Sequence, residues 1–382
     1  MAKQKIYWFV QQFQRFGGTE EVTLTLIDML KETYDITIVV DEAYDKKTKP
    51  VFHLPLGVKI ISLNLPLRYF RIDEFCLTAL REHHYLKLLG GIFYEAYMIL
   101  MKRFILRRKI KRMTEKDALL IASSLDNYIL MPHQRKVFFH YHFNFQCLNS
   151  FAEHLQRLVE RKPDKWIFIT EGTLKEANKH HPFKNKSAMV YNPNRLPPRQ
   201  SFDFKGGEVI FLGRFSEQKR PLFLIKIASE LKKLNVNFHF SLYGEGILKE
   251  QLEEGIKEAK LEDKVSILHP IPDPSEALLK SDLLLLPSKY EGWGLVIGEA
   301  NSQGVPVLSS DWGSGLKEAM EDGVNGYIFY NDDPKAYAEK IAYLFTHLIE
   351  LQALKKTSFA YASRLGKEAI KEEWVKIIEK KN

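Results

Sequence analysis

Thirteen short apolar runs, most of them followed by polar turns or helical stretches, restrict this 382-residue chain to an α/β architecture. Seven precede residue 192: Lys5–Val10, Asp35–Val40, Val58–Leu63, Ala118–Ala122, Val137–Phe139, Trp166–Thr170 and Ala188–Tyr191. Six follow: Val209–Leu212, Phe238–Tyr243, Val265–Leu268, Leu283–Leu286, Pro306–Ser309 and Tyr327–Phe329. Unbroken apolar strands belong to parallel sheets, because helices cover both faces of such a sheet. Helical patterns at Glu21–Lys31 and Pro221–Lys233 supply that covering. Between the two arrays, Asn192-Pro-Asn-Arg-Leu-Pro-Pro-Arg-Gln200 carries three prolines, which neither a helix interior nor a central strand tolerates. The expected organisation is two doubly wound domains facing a cleft, residues 1–195 and 196–365, then a terminal helix over 366–382. Ile370, Trp374, Ile377 and Ile378 share one face of that helix, which must therefore dock.

Composition narrows the classes of function. With 45% hydrophobic and 27% charged residues the chain is neither disordered nor fibrous. Cys76 and Cys147 are its two cysteines and have no metal or redox spacing, so a reducing cytoplasm and no metal centre are expected. The first strand begins at residue 5 with no signal segment before it, and the chain is expected to stay inside the cell. Leu88–Leu106 is broken by Glu95, Lys102 and Arg103, which excludes a membrane span there.

The net charge of +8 is concentrated in the first half, where residues 1–195 hold 31 Lys and Arg against 20 Asp and Glu. Seven basic residues and no acid fall between Lys102 and Arg112. At helical spacing Arg103, Arg107 and Lys111 form a stripe, while Lys102, Arg108, Lys109 and Arg112 spread around the other faces. Two readings stay open for the segment at 98–113: a solvated helix face, or a surface for anionic lipid or a lipid pyrophosphate on the inner face of the cell membrane. Nucleic acid is not an expected partner, since no recognition signature accompanies the charge.

Chemistry-bearing residues gather at strand ends, where open α/β sheets bind ligands. Gly17 and Gly18 follow the first strand; Gly213, Arg214 and Lys219 follow Val209–Leu212; Gly244 and Gly246 follow Phe238–Tyr243. After Leu283–Leu286 comes Glu291-Gly-Trp-Gly-Leu-Val-Ile-Gly-Glu299, two carboxylates around a glycine-rich turn that opens a helix. Carboxylates at the end of a buried strand need partners, and helix-start amides with nearby cations suit a diphosphate.

These motifs, with Gly304-Val-Pro-Val307 behind them, resemble the retaining nucleotide-sugar glycosyltransferases of family 4, which are also called glycosyl transferases group 1 and have the GT-B fold. The resemblance spans nearly the whole chain, and its most specific part is the carboxylate pair with seven residues between. It implies two Rossmann-like domains, with the C-terminal helix packing back towards the first. It assigns Glu291 to donor-sugar hydroxyls and Glu299 to the ribose. Arg214 and Lys219, with the amides of Gly294, Leu295 and Val296, fall to the diphosphate, and the glycines to close backbone approach. A nucleotide sugar, UDP-linked ahead of GDP-linked, would be the donor, with no further cofactor. Retention would follow front-face attack, the leaving phosphate taking the acceptor's proton, with Glu291 positioning rather than attacking.

Phe139-His-Tyr-His-Phe-Asn144 is a further candidate, since relatives carry a His-aromatic pair here whose imidazole approaches the reacting sugar. His142-Phe143 fits better than His140-Tyr141, and both stay open. A zinc pair is rejected, because no third ligand follows at suitable spacing. The chain departs from the pattern at Ile169-Thr-Glu171, at Tyr191-Asn-Pro-Asn194 and at Trp293, where a phenylalanine is usual.

The reading is therefore a hexosyltransferase that acts on a membrane-associated or lipid-linked glycan in cell-surface polysaccharide or glycolipid synthesis. The alternatives are a sugar-nucleotide 2-epimerase of similar fold, which has no use for the basic segment, and a non-catalytic partner subunit, which has no need of all four donor-side charges. Neutralising Arg103, Arg107 and Lys111 together is expected to weaken sedimentation with anionic vesicles while nucleotide affinity stays constant. Unchanged sedimentation would favour the solvated face.

Overall fold

The structure is a computed structural model that describes residues 3–11, 17–41, 54–63, 84, 86, 90, 105–124, 127–128, 131–132, 134–142, 163–180 and 186–380. Arg103, Phe16 and Phe143 lie outside the described residues. Contacts divide the chain into two compact units, Met1–Ile169 with Ala177–Met189, and Thr170–Glu176 with Val190–Asn382.

The first unit is built on β1 (Lys5–Val10), β2 (Asp35–Val40), β3 (Lys59–Ser62), β4 (Leu119–Ala122), β5 (Lys136–Tyr141), β6 (Lys165–Phe168) and β7 (Ser187–Met189). All pairs are parallel, in the order β3-β2-β1-β4-β5-β6-β7. Helix α1 (Gly18–Leu30) follows β1, the short α2 (Arg107–Met113) precedes β4, and α3 (Glu171–His180) follows β6, its residues up to Glu176 belonging to the second unit. Central strands are dry: Ile6–Val10 and Leu119–Ala122 are buried throughout. The edge strand β3 is only partly covered and opens on Lys59, as exposed edges require.

The second unit has β8 (Glu208–Leu212), β9 (His239–Tyr243), β10 (Val265–Leu268), β11 (Leu283–Leu286), β12 (Val307–Ser310) and β13 (Gly326–Phe329). Their order is β10-β9-β8-β11-β12-β13, again parallel. Connecting and covering helices are α4 (Pro221–Lys233), α5 (Lys249–Glu258), α6 (Ser275–Leu279), α7 (Leu295–Ser302), α8 (Ser314–Ala319), α9 (Pro334–Thr346), α10 (Leu348–Ala362) and α11 (Lys367–Glu379). Proline at the first helical position starts α4 and α9, where its missing N–H costs nothing, and Asp333 caps α9 by accepting from the Lys335 amide at 2.9 Å. The core joins Phe211, Leu224, Phe240, Leu285, Tyr337 and Leu354 from strands and helices alike. On α11, Ile370, Trp374 and Ile378 are buried, whereas Ile377 is half-buried.

Each expected strand is present. Helix α1 starts at Gly18, three residues earlier than its apolar pattern, because Glu20 and Glu21 in the first turn suit the positive end of the helix dipole. Strand order reverses between β1 and β4 and between β8 and β11, so a ligand crevice is expected at the carboxyl end of each such pair.

One buried ion pair ties the second unit together at the opposite end of its sheet. Asp282 and Lys355 are both fully buried, 2.9 Å apart. Asp282 also accepts from the amides of Lys205, Gly207 and Glu208 at 2.8, 3.0 and 3.1 Å, and Lys355 donates to the Asp203 carbonyl at 2.9 Å. Burial pulls the Lys355 pKa below its ordinary value, and Asp282 opposes that shift. Replacing Lys355 with Met leaves Asp282 without its ammonium, and is expected to cost about 3–5 kcal/mol, read as a lower urea midpoint. An unchanged midpoint would show that the pair contributes nothing.

Candidate functional site

The strand ends around the switch point between β8 and β11 gather most of the residues that the sequence singles out for a donor. Gly213, just past β8, donates its amide to the Tyr243 carbonyl at 3.1 Å, and Phe215 donates to Glu245 at 2.8 Å, so the β8 and β9 ends are laced together. Gly244 has no room for a side chain: a Cβ there would lie 2.0 Å from the Gly213 carbonyl oxygen. Gly246, at φ +155°, would meet the Phe215 carbonyl at 2.3 Å. Arg214 is exposed and forms no ion pair among the described residues.

Glu291 is reached from two directions. Lys219, on the loop before α4, pairs with its Oε1, and the Ser288 hydroxyl donates to the same oxygen at 2.6 Å. Both partners matter because the Glu291 side chain is 9% exposed, and a carboxylate so far from water needs replacement donors. The loop carrying it is pinned by the Lys289 amide on the Gln218 carbonyl at 2.8 Å and the Gln218 side chain on the Tyr290 carbonyl at 2.9 Å. Trp293 is buried and stacks on Tyr191 with centroids 5.0 Å apart, filling the space beneath the turn.

Helix α7 then begins at Gly294, whose φ of 70° and ψ of 61° lie in the left-handed region. No side chain caps this end, so the first amides, those of Leu295 and Val296, are without an intrahelical or capping acceptor. Glu299 sits one turn on, 5% exposed, with Arg195 Nε and Nη2 each 2.9 Å from its Oε1.

Beside this region Glu318 accepts from the amides of Glu171 and Gly172 at 2.6 and 2.7 Å, closing the start of α3. Burial, followed by the charge and hydrogen bond of Glu318, pushes the Tyr191 hydroxyl up to about 12. Thr170 bonds Thr173 through its hydroxyl at 2.6 Å, giving the Ile169-Thr-Glu171 departure a helix-capping role.

In the first unit, Gly17 is the N-cap of α1 and Gly18 its first residue. At the ends of β1, β2 and β4, Trp8 donates to Ser123 at 2.9 Å and Asn127 donates to Asp41 at 2.8 Å. His140 is the penultimate residue of β5 and His142 follows the strand, 1% and 8% exposed, with ring centroids 3.9 Å apart. Burial pushes His140 well below its ordinary pKa, with His142 adding to the shift, and pushes His142 down to about 3. His142 Nε2 has no hydrogen-bond partner among the described residues.

On α2 Arg108, Lys109, Lys111 and Arg112 are exposed, Arg107 is half-buried and Ile110 is buried, and Arg135 bonds the carbonyls of Lys111 and Thr114 at 3.0 and 2.7 Å, closing the helix end. An open groove of about 750 Å³ is lined by Ile105, Arg108, Lys109, Arg112 and Met113, and not by Arg107 or Lys111. Among the described residues no three His, Cys, Asp or Glu side chains are grouped to hold a metal ion. No described helix is long and apolar enough to cross a membrane.

Comparison with known proteins gives this arrangement a chemistry. Residues 195–359 match the family described as glycosyl transferases group 1. The chain is 24% identical to an uncharacterized glycosyltransferase of Haemophilus influenzae, over 98% of this chain and all of the relative. It is also 24% identical, over 95% of each chain, to the Campylobacter jejuni GalNAc-alpha-(1->4)-GalNAc-alpha-(1->3)-diNAcBac-PP-undecaprenol alpha-1,4-N-acetyl-D-galactosaminyltransferase. A crystal structure of a S. aureus TarM mutant with fondaparinux, alpha-GlcNAc-glycerol and UDP superposes with a TM-score of 0.77, over 99% of this chain and 100% of that one, at 15% identity. The chain is a glycosyltransferase of GT-B fold.

Within the transferase, the motif reading brings Gly213, Lys219, Gly244, Gly246, Glu291, Gly294 and Glu299 to neighbouring strand and helix ends of one unit. It misses two of the residues that hold the region together. Arg195 lies in the proline-rich stretch between the two strand arrays, and Glu318 lies 147 residues from the amide it holds. No local pattern marks either.

The two histidines set a pH dependence. They are neutral in the fold but take up protons in the unfolded chain below about pH 6.5. The unfolded state therefore binds more protons, and stability falls as pH drops from about 6.5 towards 3. Replacing both with Leu is expected to flatten the change of urea midpoint between pH 6.5 and 4; an unaltered slope would mean that the rings are not held neutral.

Proposed function

We propose that the transferase moves a hexosyl unit, with retention, from a nucleoside-diphosphate sugar to a membrane-associated or lipid-linked glycan in cell-surface polysaccharide or glycolipid synthesis. The observation that carries this reading is Glu291, held as an acceptor by Lys219 and Ser288 beside the uncapped start of α7. An acceptor carboxylate suits sugar hydroxyls; an uncapped helix start and an exposed Arg214 suit a diphosphate. Lys219 uses one of its three protons on Glu291 and has others for a phosphate oxygen.

Charge grows on the departing diphosphate as the glycosidic bond breaks. Arg214, Lys219 and the amides of Leu295 and Val296 would stabilise that charge more in the transition state than in the ground state, which is what accelerates the step. The leaving phosphate accepts the proton of the incoming hydroxyl on the same face. In this reading Glu291 orients the sugar, Glu299 takes the ribose, and His142 acts as a neutral imidazole in the transfer. Gly17, Gly18, Gly213, Gly244 and Gly246 allow close backbone approach to the donor. On the acceptor side the reading places His140 and the basic segment with Arg103, Arg107 and Lys111, in contact with an anionic membrane on its cytoplasmic face. UDP is the favoured nucleotide, since the TarM complex contains UDP, and a lipid-linked acceptor is favoured by the undecaprenol-linked glycan in the name of the Campylobacter relative.

Thermal-shift measurements with UDP, GDP, ADP and CDP are expected to give the largest stabilisation with UDP, because a ligand of the native state raises its stability. Glu291→Gln is then expected to lower turnover of the matching nucleotide sugar by about 10²–10³, with the melting temperature of the free protein little changed. A full-rate variant would remove Glu291 from the mechanism, and an altered nucleotide sugar without transfer, seen by NMR, would make the protein an epimerase.

A further inference from the structure

The stretch joining the two strand arrays is not a passive spacer at Asn194 and Arg195. Asn194 donates its backbone amide to the Leu365 carbonyl and its side-chain amide to the Ala362 carbonyl, both at 2.8 Å. Its Oδ1 lies against Gly298, where an added Cβ would come within 2.1 Å of it. That close approach fixes the register of α7 one residue before Glu299. The next residue along the chain, Arg195, then lies on Glu299 itself.

Arg195 meets Glu299 at one oxygen. Nε donates to Glu299 Oε1 at 2.9 Å, Nη2 lies at ion-pair distance from the same oxygen, also 2.9 Å, and Nη1 donates to the Pro272 carbonyl in the loop after β10. Arg195 also lies near Asp273, whose carboxyl is held below its ordinary pKa mainly by Ser275, with Arg195 and Arg199 adding to the effect. Glu299 Oε2 receives no hydrogen bond from any described residue. Glu299 is 5% exposed, and its Arg195 partner has a side-chain exposure of 23%. A guanidinium is a rigid donor fork that never accepts, so Nε bonded to one oxygen with Nη2 beside it holds and occupies that oxygen. The other oxygen reaches solvent and stays open as an acceptor for a ligand hydroxyl.

We propose that Arg195 is a positioning residue that holds Glu299 so that only Oε2 faces the nucleotide, and that this sets the preference of the site for a ribose over a deoxyribose. The proposal rests on the reading of Glu299 as the ribose-binding carboxylate. A site with a fixed acceptor rejects an analogue lacking the matching hydroxyl, because bound nucleotide then shields that acceptor from water and leaves it unpaired. Without Arg195 the Glu299 side chain turns, both oxygens become available to water, and the discrimination weakens while the rest of the nucleotide still binds.

The test is calorimetric binding of UDP and of its 2′-deoxy and 3′-deoxy analogues to the full chain, with GDP and its analogues as a second set. Wild-type protein is expected to bind the ribonucleotide about tenfold or more tightly than at least one deoxy analogue. Arg195→Ala is expected to bring that ratio to within about twofold of unity, with the deoxy affinity itself moving little, and Arg195→Lys to retain part of the ratio. Equal losses for ribo and deoxy ligands, or an unchanged ratio, would overturn the role of Arg195. Glu299→Gln separates the two levels: an unchanged ratio there, or no binding of either nucleotide by wild type, overturns the ribose assignment itself. Arg195→Ala leaves Glu299 buried without its cation, so Arg195→Ala with Glu299→Gln removes both charges and serves as a second variant. A double variant that discriminates no less than wild type would also overturn the proposal.

Discussion

The second unit depends on a single carboxylate at the start of β11. Asp282 gathers three backbone amides and the Lys355 ammonium, so the approach to β8, the start of β11 and helix α10 meet at one buried point. Removing two charges from water costs several kcal/mol each, which four donors and good geometry offset. The consequence appears at the other end of the sheet. β8 and β11 are the neighbours at which strand order reverses, so fixing their starts fixes where Gly213 and Ser288 emerge. Helix α10 in turn packs on α7, whose first residue follows Gly294.

The same device recurs at shorter range. Glu291 is held by Lys219 and Ser288, Glu299 by Arg195, and Glu318 by the first amides of α3. Each carboxylate joins segments far apart in the chain and is held in place before any ligand arrives. Groups fixed in advance need no reorganisation when a ligand binds, and under the proposed function the folding of this unit supplies that ordering. The left-handed Gly294 and the crowded Gly244 serve the same end from the backbone, since a side chain at either would displace the turns that bring amides together.

Strands and strand-end glycines were legible because their signals are local. A run such as Leu283–Leu286 is buried on both faces, so its apolarity is unbroken and its limits coincide with the observed strand. Pro221 marks the start of α4 through its own ring geometry. Lys219, the partner of Glu291, was marked by its strand-end motif, whereas the partners of Glu299 and Asp282 were not legible. Arg195 is 104 residues from Glu299 and Lys355 is 73 from Asp282, and neither falls on a periodic pattern. The basic segment shows the same limit from the other side: spacing picked the stripe of Arg103, Arg107 and Lys111, whereas the groove on α2 is lined by Arg108, Lys109 and Arg112. Helical spacing tells which residues share a face, but burial of Ile110 decides which face is presented.

The sequence alone determined the class of architecture, the places where strands end, and the pair of carboxylates around a glycine-rich turn. All of these are set by short-range sterics and by the burial demands of parallel strands. Tertiary structure decided which cation or hydroxyl meets each carboxylate, which oxygen of Glu299 is left over, and which side of the basic helix forms a groove. Those outcomes depend on where distant segments meet, and a buried charge accepts whichever donor the packing brings within hydrogen-bond distance.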